Sequence, residues 1–200
     1  VAYLYSVDRA KPGSYHVWGR ARDGIRLFRD DEDRATFEGL IARYLSKVPH
    51  FDARGNPYVQ LRDEVRACAG NQLTTHYHLI AWQKLPGGID NLMRRVIHAY
   101  TRYYHSKYGT SGSLFPGPYR ARRIIGRKSL KWRIAYVQKN HKELGLDWKF
   151  STHRYFNGDG GPDWLEVDAT LDVFGGLDDY LEYMEKFELR AELDEELRID

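Results

Sequence analysis

Apolar and polar positions along this chain change period several times, and each change predicts an element. Residues 14–20, SYHVWGR, alternate with a period of two and predict a strand, with Gly24 in the turn that follows. Phe37, Leu40, Ile41, Tyr44 and Leu45 recur at helical spacing behind the acidic opening Asp30–Asp33, which favours a helix start. After the turn-rich 52–57, DARGNP, two strands are predicted at about 58–69 and 72–82. The tight pair Gly70–Asn71 should join them as a hairpin. Leu92, Val96, Ala99 and Tyr103 mark a long helix over about 89–107. A glycine- and proline-rich loop at 109–118 leads to a short strand at about 119–125 and a basic helix at 128–142. The order βαββαβα predicts an α+β fold of ferredoxin-like type, an antiparallel sheet with helices packed on one face. A C-terminal extension follows, with an acidic helix over about 177–198. Two units are expected: a main domain over 1–150 and an acidic extension over 151–200 that packs on or near it.

Within the second hairpin strand, THYHLIAW, alternation puts His76 and His78 on one face, about 6–7 Å apart along the chain. Both imidazoles can then reach one small cation. In the basic helix, WRIAYVQKNHKELG, Tyr136 precedes Asn140 by one turn and shares its face. Two imidazoles and the Asn140 oxygen could hold Mg²⁺ or Mn²⁺, with nitrogen ligands suiting Mn²⁺ better. Tyr136 is then the candidate nucleophile, because a phenol can carry a phosphoryl group through a strand exchange without ATP. Tyr100 and Tyr104 are weighed as alternatives, and read more simply as packing or stacking groups. His141 points about 100° around the helix from the Asn140 face, and His16 reads as sheet surface.

Composition alters this picture in one respect. The net charge of +3 hides an asymmetry, since residues 159–200 hold 15 acidic and 3 basic side chains. Residues 90–158 hold 15 basic and 3 acidic ones, an imbalance that suits a polyanion. Arg94, Arg95, Arg120, Arg122, Arg123, Arg127 and Lys128 are the candidate DNA contacts. The acidic end, chiefly 188–200, is expected to lie near the basic surface, while 164–187 completes the core. The lone Cys68 suits a reducing compartment and an inert core thiol. No apolar run approaches membrane-spanning length, so a cytoplasmic, nucleoid-associated protein is expected.

The segments YHVWGRARDGIRLFRDDEDRATF, THYHLIAW, GTSGSLFPGPYRARRI and AYVQKNHKELG occur in an order that resembles the single-tyrosine HUH transposases, especially the REP-associated tyrosine transposases. WKFSTHRYF and DWLEVDATLDVFGGLDDYLEYME are similar to the stretch after the catalytic helix in such proteins. The resemblance implies an HUH nuclease fold with Tyr136 as nucleophile and His76, His78 and Asn140 as ligands of Mg²⁺ or Mn²⁺. It further implies cleavage and strand transfer of single-stranded DNA beside a hairpin through a 5′-phosphotyrosine link. Thr75 before the first histidine, His141-Lys142 after Asn140 and Phe115-Pro116-Gly117 in the loop depart from the family's usual residues. Two rival readings stand beside it: a DNA-hairpin binding protein with marginal or no catalysis, and a phosphodiesterase that uses water. Monomer or homodimer, and catalysis in cis or in trans, are left open.

Overall fold

The protein is described by a computed structural model, which covers residues 11–140, 148–158 and 160–187. Four strands, β1 (Gly13–Arg20), β2 (Val65–Leu73), β3 (His76–Gln83) and β4 (Arg120–Ile124), form one sheet in the order β2-β3-β1-β4. Every pairing is antiparallel. Helices α1 (Asp31–Leu45) and α2 (Gly88–Tyr108) lie between β1 and β2 and between β3 and β4 in sequence. This is the expected ferredoxin-like arrangement of an α+β core.

Tyr15, Val17, Tyr77 and Leu79 alternate toward α1 and α2 and are buried. Phe37 of α1 packs its ring at 4.9 Å from Tyr77 and 5.2 Å from Tyr100 of α2, with Phe28 closing the cluster. Asp30 caps α1 in a reciprocal box with Asp33, which explains the sharp start the acidic run foreshadowed. Gly109, with a φ of 61°, ends α2 in the left-handed conformation that favours glycine.

Two expectations need correction. The first concerns the helices, which do not all pack on one face. Helix α3 (Arg127–Lys139) lies across the sheet from α1 and α2, where Tyr136 meets His16 and His78 and where Asn71 Nδ2 donates to the Val137 carbonyl at 3.0 Å. Those histidines alternate with Tyr15 and Tyr77, so the sheet is covered on both sides. The second concerns the hairpin, which turns at Thr74–Thr75, leaving Gly70 and Asn71 inside β2. The turn carbonyls accept hydrogen bonds from Phe28 N–H at 3.1 Å and Ala21 N–H at 2.8 Å, so tertiary contacts place it. Residues 58–64 are not strand either, because Tyr58 and Leu61 donate to the His50 and Tyr44 carbonyls. The alternation that puts His76 and His78 on one face survives the shift.

The extension folds back against β2, an edge strand. Single bridges join Asn71 to Ser151 and Ala67 to Leu165, covering the open backbone groups of that edge. Two helices follow, α4 (Val167–Phe174) and α5 (Leu177–Lys186), and bury Trp164, Leu165, Phe174, Tyr180 and Met184. The helix expected over 177–198 instead ends at Lys186, where Phe187 turns to extended backbone with a ψ of 115°, and 188–200 lie outside the described residues. Cys68 sits at the β2 bulge, where burial pushes its thiol up to about 11 and keeps it unreactive. Among the described residues no helix is long and apolar enough to cross a membrane.

Candidate nucleic-acid interface

Strand pairing brings a third histidine to the predicted pair. In the β1–β3 register Trp18 stands opposite His78 and Arg20 opposite His76, so His16, Trp18 and Arg20 share the face of His76 and His78. His16 Nε2 lies 2.8 Å from His78 Nδ1, and the rings stack with centroids 5.0 Å apart. On the other side of His78, the Asn140 amide nitrogen lies 3.2 Å from Nε2. With that amide as donor, Nε2 is the bare nitrogen and Nδ1 carries the proton toward His16 Nε2. Both nitrogens of His78 are thus engaged within the protein. His16, His78 and Asn140 are buried, and burial, followed by neighbouring charges, holds both imidazoles well below the ordinary histidine range. His76 is half-buried, with Nδ1 3.0 Å from the Thr75 hydroxyl, and burial with Arg20 nearby lowers it to about 4.

Helix α3 lays an aromatic and cationic ridge over these rings. Trp132 and Tyr136, one turn apart, stack at 5.2 Å with a 14° interplanar angle. The Tyr136 ring meets His16 edge-on at 6.4 Å and His78 at 6.2 Å. The Arg133 guanidinium lies over both aromatics, 5.1 Å from Trp132 and 5.8 Å from Tyr136. Burial, then repulsion from Arg122, lowers Arg133 to about 10, so it is still a cation at neutral pH. The arrangement presents a half-buried phenol beside neutral, weakly basic imidazoles and a fixed positive charge. Such imidazoles are poor proton acceptors, so stabilisation of a phenolate here falls mainly to the cation.

The candidate DNA contacts separate in space. Arg120 and Arg122 pair opposite Trp18 and His16 and join this face, exposed. Arg123 takes the other face and donates to the Pro12 carbonyl. Arg94 and Arg95 ride on α2, across the sheet from the histidines. Arg127 caps the end of α4 through the Val173 and Asp172 carbonyls, and Lys128 is exposed beside it. The alternative nucleophiles Tyr100 and Tyr104 lie on the α1–α2 side, where their hydroxyls donate to the Leu27 and Arg26 carbonyls. His141 falls outside the described residues. Sequence reasoning missed His16, Arg20, Arg133 and the two tryptophans. The alternation of SYHVWGR held the signal for His16, but only cross-strand register reveals its partner.

Among the described residues no group of three His, Cys, Asp or Glu side chains is arranged to hold a metal ion. The donors His76, His78 and the Asn140 oxygen suit a divalent cation in kind. Access to His78 Nε2, however, requires the Asn140 amide to turn away. The charges acting on His76 and His78 include Arg20 and Arg133, which oppose a bare cation.

No family model and no curated protein sequence matches the chain. Among solved structures it is similar to a REP-associated tyrosine transposase bound to a REP hairpin, with 18% identity and a TM-score of 0.55. The match covers 77% of this chain and 86% of that one. At that identity the likeness establishes a shared fold: a four-stranded antiparallel sheet with helices packed on it.

Proposed function

We propose that this chain binds single-stranded DNA beside hairpins through the face that carries His16, His76 and His78. The observation that carries the reading is the convergence there of Arg20, Arg122 and Arg133 with the stacked pair Trp132–Tyr136. Cations that track a phosphate backbone, interleaved with aromatic planes that accept bases, are what single-stranded nucleic acid requires. The fold neighbour that is itself held on a REP hairpin is consistent with this partner. Fluorescence anisotropy with a labelled DNA hairpin at several salt concentrations tests it. Three phosphate contacts predict a slope of about −2 to −3 in log K against log salt. Arg133→Ala should weaken binding about tenfold and flatten that slope by about one. A salt-independent interaction, or none, would remove the reading.

A second reading adds chemistry to the same face, and the position of Tyr136 one turn from Asn140 and edge-on to His78 favours it. The phenol oxygen would attack phosphorus, the bond to the 3′ oxygen would break, and that oxygen would take up a proton. The product is a 5′-phosphotyrosyl link and a free 3′ hydroxyl, and the reverse attack rejoins the strand. Arg133 would hold the phosphate and stabilise the phenolate. His76, His78 and Asn140 would hold a divalent Mg²⁺ or Mn²⁺ ion, which when bound supplies charge withdrawal from a nonbridging oxygen. With no carboxylate among those donors, the expected Mn²⁺ affinity of the protein alone is on the order of millimolar. Calorimetry should show it tighten with hairpin DNA present and vanish in the His76→Ala/His78→Ala double variant. Micromolar binding to the free protein would place the ion elsewhere.

A further inference from the structure

Away from the histidine face, the outer side of α1 holds an arginine that the fold leaves without a bonded counter-charge. Arg34 is only 7% exposed, and its guanidinium lies 4.4 Å from the Phe150 ring. Nη1 donates to the Asp30 carbonyl at 3.1 Å, but the Nε–H is closed off from solvent and meets no acceptor. Among the described residues the closest carboxylate oxygen belongs to Asp31, at 4.0 Å, too far for a hydrogen bond. Burying a charge in this state is costly unless something else completes its shell.

Arg34 lines a half-open cleft of about 270 Å³ between α1 and the segment that follows α3. We propose that this cleft binds a small monocarboxylate with a flat apolar body, its carboxylate on the Arg34 guanidinium. The body would lie against Ala35, Gly39, Ala42, Phe150 and Trp164, which also line the cleft. This site is separate from the proposed DNA-binding face and does not rest on that reading.

Shape and charge both limit the ligand. The volume is just below the range of about 300–1,000 Å³ that holds drug-sized molecules, so the occupant is small. Ala35, Gly39 and Ala42 fall on one face of α1 at helical spacing and make a floor of small residues. At Gly39 no atom lies within 4 Å of where a Cβ would stand, so the space above it is open. The carboxylates on the rim are committed elsewhere. Asp31 is held by Lys149 at 2.8 Å, and Glu38 accepts from Arg154 at 2.8 and 2.9 Å and from the Tyr155 hydroxyl at 2.7 Å. They leave Arg34 unsatisfied, yet their charge opposes a dianion such as a phosphate monoester more than a monoanion. A carboxylate accepts from a guanidinium in a planar, charge-assisted pair, which is the bond this residue lacks.

The test follows the fluorine resonance of para-fluorobenzoate on titration with the full chain, with para-fluorobenzyl alcohol as its neutral counterpart. The acid should bind saturably with a Kd of about 1 mM, and the alcohol at least about tenfold more weakly, because only the acid meets the cation. Gly39→Leu fills the cleft without removing a contact and replaces a poor helix former with a good one. Its urea midpoint should hold or rise while its affinity for the acid falls at least about tenfold. Arg34→Gln should lose the preference of acid over alcohol, with circular dichroism reporting whether that variant folds; Gly39→Leu and the alcohol decide the matter if it does not. No saturable shift, equal affinity for acid and alcohol, or undiminished binding in Gly39→Leu would overturn the site. Displacement of the acid by an equal concentration of inorganic phosphate would overturn the carboxylate assignment.

Discussion

A Tyr136→Phe protein is expected to bind a DNA hairpin within about twofold of the parent and to form no covalent adduct with it, a loss of at least about 10⁴-fold in adduct formation. The phenylalanine ring keeps the stack on Trp132 and the edge contacts to His16 and His78, so the surface offered to DNA scarcely changes. Only the oxygen that would bond to phosphorus is gone. Denaturing gels of the protein with labelled hairpin and Mn²⁺ read the result. An adduct that persists would move the nucleophile elsewhere, and burial of the Tyr100 and Tyr104 hydroxyls across the sheet gives neither an easy claim. Absence of any adduct in the parent would leave binding alone, and cleaved strands without an adduct would point to water as the attacking group.

The largest effect on stability is expected at Asp33. Its carboxylate is fully buried and accepts from the Arg29 N–H at 2.7 Å, the Tyr108 hydroxyl at 2.8 Å, the Tyr103 hydroxyl at 3.0 Å and Lys107 Nζ at 3.0 Å. It is also half of the α1 capping box. Asp33→Ala strands these donors around a void, and a loss of about 3–5 kcal/mol is expected in urea denaturation at pH 7. Asp33→Asn should lose less, because the cap oxygen survives. Burial alone would raise this carboxyl, but the bonds from Arg29, Tyr108, Lys107 and Tyr103 outweigh it, and the net shift is downward. A depressed folded pKa stabilises above the unfolded value of about 4 and loses that contribution as pH falls through the folded one. The parent should therefore weaken below about pH 4, and the Ala variant should lack this component. Identical acid limbs in the two proteins would show that Asp33 is not a source of the pH dependence.

Local periodicity made much of this molecule legible in advance, and non-local pairing hid the rest. Alternation in THYHLIAW was enough to put His76 and His78 on one face, and helical spacing was enough to align Tyr136 with Asn140. His16 was equally regular in its own strand, yet its place against His78 depends on how β1 registers with β3 across 62 residues of chain. Gly70–Asn71 has turn chemistry, but Asn71 spends its amide on the Val137 carbonyl and Gly70 its N–H on Thr152. The plain Thr74–Thr75 pair turns instead, because distant backbone groups hold its carbonyls. Charge was the least legible quantity. Arg127 and Arg133 look alike in a basic helix, and only packing shows that one caps α4 while the other covers Tyr136.

The last turn of α3 is tied down from several directions at once. Asn71 holds the Val137 carbonyl, Ser151 the Gln138 carbonyl, Tyr180 the Gln138 side chain, and Lys139 reaches the Met184 and Phe187 carbonyls. A backbone fixed to β2, to the segment after α3 and to α5 cannot swing as a lever without breaking all of these together. Whatever frees His78 Nε2 must then be a rotation of the Asn140 carboxamide about its own bonds. Such a rotation must break the buried contact between the Asn140 amide and His78, but it spares the microseconds to milliseconds that displacement of a packed helix takes. In the proposed divalent-ion site, access to His78 Nε2 would consequently be controlled by one side chain, without a rearrangement of the fold.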